Sequence, residues 1–474
     1  MAAAFTLQGC NSDWSVPGAA SNLLPAVVIT SPFAGSISDE GTNITFTGSA
    51  NDPEDGALSG SSLVWTSDRD GQIGTGLTFD ITTLSRGVHV ITLTAADESR
   101  ATGTASITIT VRTPWLVDTS WGFRQRITIS SAMVPSDQGD FPALIKITDQ
   151  TNPLFGNALS NGDDILFTDV DGVNKSDHEI ELYLDAGTME LDAWVRIPNL
   201  SSTSDTILYM YYGNGGAINQ ENPTGVWDNN YLGVWHLEED PSFSSDCAGG
   251  AGTKEICDST SNDLDGDSLG GMTSGDQVPG QIDGSLDFDY VNDYVNFGDV
   301  IDLTQNITVE AWFNARSLPP VWPEWRSIVG EIWDWQVEFS DSGSVMFRRW
   351  QPYQMLQSAA VLSLDQWYYV AFTLAINNPL DVNNKNLKIY VNGVFDNEGP
   401  IQTPLQTRAY SLAIARRIQS DIDRFDGFID EVRISDTVRS AEWIGASYKN
   451  QNDPGTGNPL DPDVYTTFAA EELL

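Results

Sequence analysis

Short runs in which apolar and polar residues alternate cover most of the chain. From 25 to 113 they read AVVITSP, NITFTGSA, SLVWTSD, LTFDITTL, HVITLTAAD and ASITITV. Alternation with a period of two places successive side chains on opposite faces of a strand. Turn sequences such as PEDG and RDGQ separate the runs. The pattern predicts about six or seven short strands over roughly 90 residues, the size of one β-sandwich.

The same alternation continues through 114–225, in RITI, ALIKI, HEIELY and DTILYMYY, and through 226–450, in ITVEAWFNA, YYVAFTL and LKIYVNGV. We therefore predict an all-β protein made of tandem β-sandwiches. The segments 1–24 and 451–474 read as an N-terminal linker and an extended C-terminal tail. Almost no linker separates YMYYGN from VWDNNYLGVWHLEE, so the middle domain is expected to pack against the third.

The net charge of the chain limits the classes of partner that it can bind. The sequence has 66 acidic and 23 basic residues, for a net charge of −43. Nucleic acid is excluded as a partner because phosphate binding needs clustered Lys and Arg, and anionic membrane surfaces are disfavoured for the same reason. No apolar run is long enough to predict a transmembrane helix. The acids have two readings that both stay open: a solvated surface, or oxygen ligands for Ca²⁺.

The cysteines bear on location. Cys247 and Cys257 bracket the loop CAGGAGTKEIC, and a disulfide between them would contribute roughly 2–3 kcal/mol. Such a pair points to an oxidising compartment, and hence to an extracellular or cell-surface protein. Cys10 ends the sequence LQGC, which resembles a bacterial lipobox and makes Cys10 a lipidation candidate. The basic segment of a signal peptide is missing, so either the start of the sequence is truncated or miscalled, or the match is due to chance.

The first sandwich carries motifs in a specific order. SP-x-x-G is followed by GSANDPEDG, LVWTSDRDGQIGTG and HVITLTAAD, and this order resembles bacterial immunoglobulin-like or PKD-like surface modules. The resemblance implies a spacer domain with Trp65 packed between its sheets. The acidic residues Asp52, Glu54, Asp55 and Asp97 could meet at one end of the domain, either as a Ca²⁺ site or as turn formers.

The segment 114–225 resembles a bacterial and archaeal domain family of unknown function, on the motifs WGFRQRITI, NGDDILFTDVDG, HEIELY and DAWVRIPNL. The resemblance implies no activity. His178, Glu179 and Glu181 could form a general acid–base set, since Glu179 and Glu181 share one face of a strand. No second motif completes a site, so no catalysis is expected there.

The third segment resembles the laminin-G-like, concanavalin A-like jelly-roll family, most specifically in LKIYVNGV and FIDEVRISDTVRSAEWI. The resemblance implies a two-sheet sandwich that binds sugars or proteins. It also implies one structural Ca²⁺, with Glu238 (or Glu239), the loop that starts at Asp258, and Asp430 as the matching positions. The alternative is that these acids are simply solvated at strand ends.

Laminarinase-type glycoside hydrolases share this fold, and EIWDWQVE at 331–338 resembles their acid-rich strand. Those enzymes space their acids as Glu-x-Asp-x-Glu, whereas Glu331, Asp334 and Glu338 stand at i, i+3 and i+7. On a strand, Glu331 faces away from Asp334, and Asp334 lies about 13 Å from Glu338. A retaining pair needs a separation of about 5–5.5 Å. The spacing argues against catalysis.

Aromatic residues cluster around the same stretch. Trp335 shares its parity with Val337 and Phe339 and is expected to be buried, whereas Trp322, Trp325 and Trp350 stand near Pro and loop signals and are predicted to be exposed. The candidate ligand-binding residues are Trp322, Trp325, Trp350 and Tyr353. Exposed aromatic rings stack on sugars and also mark protein interfaces, so both readings stay open.

Together these patterns predict a non-catalytic, extracellular or surface-displayed adhesion protein whose jelly roll binds carbohydrate. The expected partner is a glycan or a protein surface, with self-association possible. The alternative is a structural subunit of a surface layer, filament or virion, and a glycoside hydrolase ranks third.

Overall fold

The chain forms two compact units, Met1–Leu116 and Val117–Leu474. A computed structural model describes the following residues: 22–112, 120–170, 172, 174–227, 230–242, 247, 254–301, 306–320, 324–331, 334–350, 352–375, 386–401, 405, 410–418, 423–455 and 464–473. Strands dominate both units, which confirms the prediction of an all-β protein. Among the described residues, every helix is too short or too polar to cross a membrane.

The first unit is a sandwich of two sheets, built from nine strands: β1 (Ala26–Ser31), β2 (Ile37–Asp39), β3 (Ile44–Asp52), β4 (Gly56–Leu58), β5 (Leu63–Ser67), β6 (Gly71–Thr75), β7 (Thr78–Ile81), β8 (Gly87–Ala96) and β9 (Thr102–Arg112). One sheet has the order β1-β3-β4 with β7 also paired to β3, and the other has the order β2-β9-β8-β5-β6. Trp65 is fully buried between them, with its ring centroid 5.5 Å from that of Phe46 and 5.8 Å from that of Phe79. Its predicted role as a core residue is confirmed.

The middle domain opens the second unit. Its elements are β10 (Phe123–Ile129), β11 (Gln138–Ile147), α1 (Leu154–Asn157), β12 (Leu166–Asp169), β13 (Lys175–Ser176), β14 (His178–Leu184), β15 (Glu190–Leu200), β16 (Thr206–Tyr212) and α2 (Pro223–Val226). Strands β11, β15 and β14 form one sheet, in that order, and β13-β12-β16-β10 belong to a second sheet.

The jelly roll follows, and its described residues form these strands: β17 (Tyr231–Trp235), β18 (Asp267–Leu269), β19 (Gln277–Pro279), β20 (Gly284–Asp289), β21 (Tyr294–Gly298), β22 (Ile307–Ala315), β23 (Arg326–Glu331), β24 (Trp335–Phe339), β25 (Val345–Trp350), β26 (Tyr353–Gln357), β27 (Tyr368–Leu374), β28 (Leu387–Val391), β29 (Val394–Gly399), β30 (Leu412–Ile414) and β31 (Asp426–Ser435). An eight-stranded sheet has the order β19-β20-β31-β22-β27-β28-β29, with β17 also paired to β31. A seven-stranded sheet has the order β18-β21-β30-β23-β24-β25-β26. A continuous apolar core lies between the two sheets.

The chain then returns to the middle domain. Helix α3 (Ala441–Asn452) lies against β11, where the side chain of Asn450 accepts a hydrogen bond from the backbone N–H of Leu144 (2.6 Å) and donates one to its carbonyl (2.9 Å). Strand β32 (Thr466–Leu473) adds to the second sheet of the middle domain by pairing with β10. The prediction of a separate tail over 451–474 is therefore wrong for β32, because the exposed backbone edge of β10 needs a partner.

The middle domain also covers the outer side of the eight-stranded sheet. One apolar cluster contains Trp194 and Trp227 of the middle domain together with Trp312 and Tyr369 of the jelly roll. Because the two domains share this buried cluster, the outer face of that sheet is closed. The outer face of the seven-stranded sheet is the other candidate surface for a ligand.

Candidate functional site

Strand register decides which side chains reach the outer face of the seven-stranded sheet. Trp335, Val337 and Phe339 of β24 belong to the core between the sheets, which confirms the predicted burial of Trp335. Gln336 and Glu338 therefore point to the outer face. Across the hairpins, Gln336 pairs with Arg348, and Arg348 pairs with Met355. These cross-strand partners stand on the same face.

Arg348 is the centre of this face. Its buried guanidinium pairs with Glu338 and lies 3.5 Å from the Asp423 carboxylate, which also binds Arg417 at 3.1 Å. The Arg348 guanidinium carbon stands 3.8 Å from the ring centre of Trp325 and 4.0 Å from that of Trp350. A cation between two aromatic rings fixes both ring planes. Both Arg348 and Arg417 are thus paired with carboxylates of this group.

The aromatic residues predicted to be exposed differ in their surroundings. Trp325 and Trp350 were predicted to be exposed, and they are half-buried because Arg348 fills the space between them. Tyr353 is 53% exposed and packs edge-on against Trp350, at 6.0 Å between ring centres. Met355 follows on the same face and is 49% exposed. Trp322 lies outside the described residues.

The three acids of EIWDWQVE do not share one environment. Glu331 pairs across the hairpin with Trp335, a core residue, and so stands on the inner side of the sheet. Glu338 stands on the outer side, in its ion pair with Arg348. Glu331 and Glu338 therefore do not face one bond. Burial raises the pKa of Glu338 to about 7, with nearby Asp423 acting in the same direction and Arg348 opposing both.

A second site lies where the middle domain meets the jelly roll. Glu181 on β14, Glu238 after β17 and Asp283 before β20 each place a carboxylate oxygen within 4.8 Å of the others. Glu181 is deeply buried, and its Oε1 has no hydrogen-bond partner. Burial and contact with Asp283 raise the pKa of Glu238 to about 10. Carboxylates packed this closely repel one another unless a proton or a cation separates them.

Asp430 adjoins the same loop. Its Oδ2 accepts hydrogen bonds from the backbone N–H groups of Gln281 (2.8 Å) and Ile282 (3.0 Å). Its Oδ1 is buried and has no partner. Burial, with Glu431 and Glu181 nearby, raises the pKa of Asp430 well above its usual range. We call the four carboxylates Glu181, Glu238, Asp283 and Asp430 the acidic centre.

Asp258, predicted as part of the calcium site, does not belong to this group. Its Oδ1 accepts from the N–H groups of Val234 and Thr260, and its Oδ2 accepts from the Thr260 hydroxyl and the Leu264 N–H. Both oxygens therefore organise the local loop, and the prediction of Asp258 as a ligand is corrected.

His236 stands beside the acidic centre and carries positive charge there. Its Nδ1 lies 2.6 Å from Glu431 and its Nε2 lies 3.4 Å from Glu179. Despite complete burial, the carboxylates of Glu431, Glu181 and Glu179 raise the pKa of His236 well above its usual value. Glu179 and Glu181, read from sequence as a possible acid–base pair, are thus parts of a charged interface.

Arg433 completes the interface. It pairs with Glu431 and stacks its guanidinium on Trp194 at 4.3 Å and on Trp227 at 4.7 Å. Arg433 and His236 together balance two of the carboxylates in this region. His236 Nδ1 also lies 3.4 Å from Oε2 of Glu181, one member of the acidic centre.

The remaining predicted residues lie elsewhere. Asp52, Asp55 and Asp97 of the first unit bring carboxylate oxygens within 4.8 Å of one another, while Glu54 accepts a hydrogen bond from the N–H of Leu23 instead. Cys247 and Cys257 are joined in a disulfide. Cys10 lies outside the described residues.

Sequence reasoning missed Glu181 and Asp283 as neighbours of Glu238, and Arg348 as the residue that organises the tryptophans. Glu181 belongs to a different domain, so no spacing along the chain relates it to Glu238. The alternation of FRRW between core and outer face was a usable signal for Arg348.

Comparison with known proteins finds two matching domain families. Residues 289–445 match the model of the concanavalin A-like lectin/glucanases superfamily, and residues 161–234 match a domain of unknown function, DUF2341. No curated protein matches the chain.

Similar solved structures share little sequence. Domain 4 of an extracellular GH43 arabinanase from Geobacillus stearothermophilus, solved with arabinotriose, has 17% identity and a TM-score of 0.33, and the match covers 44% of this chain and 97% of that one. The botulinum neurotoxin serotype D ligand-binding domain, solved with N-acetylneuraminic acid, has 14% identity and a TM-score of 0.33, with 48% and 53% covered. The match thus spans about half of that toxin domain. The chain carries a concanavalin A-like domain and a DUF2341 domain.

Proposed function

We propose that this protein is a non-catalytic recognition protein whose jelly roll binds a glycan on the outer face of its seven-stranded sheet. The observation that carries the proposal is the exposed ring of Tyr353 beside the Trp350–Arg348–Trp325 stack. Aromatic rings offer apolar area to the faces of sugar rings. Their planes are fixed before binding, so little side-chain entropy is lost when a ligand arrives.

The charges on this face favour a neutral sugar over an anionic one. Arg348 and Arg417 are both engaged with the carboxylates of Glu338 and Asp423. An anionic sugar would have to compete with those carboxylates for the same guanidinium groups. A neutral oligosaccharide needs only ring stacking and hydrogen bonds.

A glycan array followed by calorimetric titration of the best ligand tests the proposal. Tyr353→Ala should weaken binding at least tenfold, because the exposed ring is lost while the buried network stays. Val394→Ala is the matched control, since Val394 is 68% exposed on β29 of the other sheet. If Tyr353→Ala and the parent protein bound the ligand with equal affinity, the glycan would bind at another surface.

Two competing readings give different results. Ordered polymers of the purified protein without any sugar, together with an empty array, would favour a structural subunit of a surface layer, filament or virion. Release of reducing ends from a bound oligosaccharide would favour a glycoside hydrolase. In that case Glu338→Gln would show whether the outer-face acid takes part.

We also propose that the jelly-roll members of the acidic centre, Glu238, Asp283 and Asp430, hold a structural Ca²⁺. Buried carboxylate oxygens without hydrogen-bond partners suit a hard cation that prefers oxygen ligands. Titration of chelator-treated protein with CaCl₂ tests this directly, and a flat heat signal would contradict it. An array repeated with chelator would show whether the cation supports glycan binding.

The disulfide supports an extracellular or cell-surface location as part of the proposal, because such bonds persist in oxidising compartments. The first unit would then act as an immunoglobulin-like spacer. Fractionation of the producing cells, with protease added to intact cells, tests the location.

A further inference from the structure

We propose that the cation centre is shared between two domains, with Glu181 of the middle domain supplying a ligand to a Ca²⁺ that Glu238 and Asp283 of the jelly roll also bind. This inference rests on the proposed cation in the jelly roll and adds a partner from another domain. Binding of the ion would then lock the two domains together.

The geometry of Glu181 is the first argument. Its Oε2 accepts a hydrogen bond from Trp194 Nε1 at 2.6 Å, which fixes the carboxylate. Its Oε1 is buried without a hydrogen-bond partner. One oxygen of the Glu181 carboxylate lies within 4.8 Å of oxygens of Glu238 and Asp283. Oxygens bound to one Ca²⁺ at 2.3–2.6 Å are at most about 5 Å apart. The three oxygens therefore fit around one ion.

The loop that carries Asp283 is the second argument. A Cβ at Gly280 would lie 2.7 Å from Asp430 Oδ2, and one at Gly284 would lie 2.8 Å from the Cα of Glu238. The loop is thus pressed between Asp430 and Glu238, and it has little freedom to carry Asp283 away. Asp430 Oδ1, buried and without a hydrogen-bond partner, supplies a further oxygen beside the loop.

The distribution of positive charge is the third argument. His236 and Arg433 both contact Glu431, on the side of the interface next to the tryptophans. His236 is also shared with Glu179 and with Glu181, whose Oε2 lies 3.4 Å from its Nδ1. The acidic centre keeps an excess of negative charge that a divalent ion would offset.

The test uses the full chain, stripped with chelator and titrated with CaCl₂ by calorimetry. The parent protein should bind, and Glu181→Gln and Glu238→Gln should each weaken binding at least tenfold. Asp341→Asn, an exposed acid in the turn after β24, is the control and should bind as the parent does. Circular dichroism establishes that each variant is folded. Glu181→Asp keeps the negative charge on a shorter side chain and should bind Ca²⁺ with intermediate affinity.

Hydrogen exchange gives a readout that needs no variant. Addition of Ca²⁺ should slow exchange in peptides covering both 178–184 and 280–286. Slower exchange in the second peptide alone, with normal Ca²⁺ affinity in Glu181→Gln, would overturn the shared site and leave the jelly-roll cation standing. Absence of any Ca²⁺ binding by the parent protein would overturn both, and an equal response to Mg²⁺ would overturn the assignment to Ca²⁺.

Discussion

His236 of the jelly roll and Glu179 of the middle domain meet with 3.4 Å between Nε2 and Oε2. The contact is buried, and Glu179 also accepts hydrogen bonds from Trp227 Nε1 (2.8 Å) and the Ser259 hydroxyl (2.6 Å). One carboxylate thus joins residues from both sides of the interface. The two domains are held together by a charged network inside an apolar cluster.

Replacing the protonated imidazole of His236 should therefore destabilise the second unit strongly. His236→Phe keeps an aromatic ring of similar shape but leaves the buried carboxylates of Glu179 and Glu181 without a positive partner, and Glu431 with Arg433 alone. We expect the free energy of unfolding to fall by about 3–5 kcal/mol, the usual cost of breaking a buried ion pair. Urea unfolding followed by tryptophan fluorescence measures it, with the exposed Lys388→Gln as control. A change below about 1 kcal/mol would mean that the network is compensated elsewhere.

The contact between helix α3 and strand β11 of the middle domain can be tested separately. Asn450 binds both backbone groups of Leu144 on the edge strand β11. Asn450→Leu would leave a buried N–H and a buried carbonyl without partners, at about 1–3 kcal/mol each. We expect a loss of about 2–4 kcal/mol in the same urea assay, whereas Glu442→Gln on the exposed side of α3 should change little. A loss as small as that of the control would show that water replaces the amide.

His178 makes the stability of the middle domain depend on pH. Its ring is fully buried and lies edge-on to Phe167, with ring centres 5.2 Å apart. Burial lowers the pKa of His178 to about 4, with a smaller contribution from Lys175. The folded protein therefore keeps the ring neutral, while the unfolded chain takes up a proton below pH 6.5. Stability from this group is fully present above pH 6.5 and is lost as the pH falls toward 4.

The lowered pKa of His178 sets the size of this effect. The free energy of unfolding should fall by about 3 kcal/mol between pH 6.5 and pH 4 because of this group. Other groups titrate in the same range, so the informative quantity is the difference between the parent protein and His178→Leu. We expect the parent to lose more stability than the variant over this interval in urea unfolding. Parallel pH profiles of the two proteins would contradict the prediction.

Much of the fold follows from local patterns, whereas most of the acidic centre does not. The alternation in WQVEF placed Trp335 in the core and Glu338 on the other face, because side-chain direction on a strand depends only on position. The half-burial of Trp325 and Trp350 depends on Arg348 of β25, whereas Trp325 lies just before β23. Glu238 and Asp430 were found through motifs, but Glu181 joins them only because two domains pack together. Long-range packing of that kind leaves no periodic signal in the sequence.

The disulfide between Cys247 and Cys257 should contribute to stability under oxidising conditions. It spans a sequence separation of 10 residues, and closing a loop of that length is worth about 2–3 kcal/mol through the entropy of the unfolded chain. The paired variant Cys247→Ser with Cys257→Ser should lower the free energy of unfolding by that amount. Adding a reductant should lower the stability of the parent protein to the level of the variant. A parent protein that reductant does not affect would show that the bond does not form.

Truncation can test whether the middle domain needs strand β32 for its stability. Tyr465 is fully buried beside it, and Gln125 of β10 donates a side-chain hydrogen bond to the carbonyl of Ala469 (2.8 Å). Removal of residues 464–474 would expose the backbone edge of β10, and exposed edges pair with other chains. We expect the truncated protein to unfold at lower urea concentration and to form soluble oligomers at high protein concentration. Light scattering at several protein concentrations detects the oligomers, and urea unfolding measures the loss of stability. Leu473→Ser, at an 80% exposed position, is the control for changes at the end of the strand. A monomeric truncated protein of unchanged stability would mean that β10 remains covered without β32, and that the middle domain folds without its last strand.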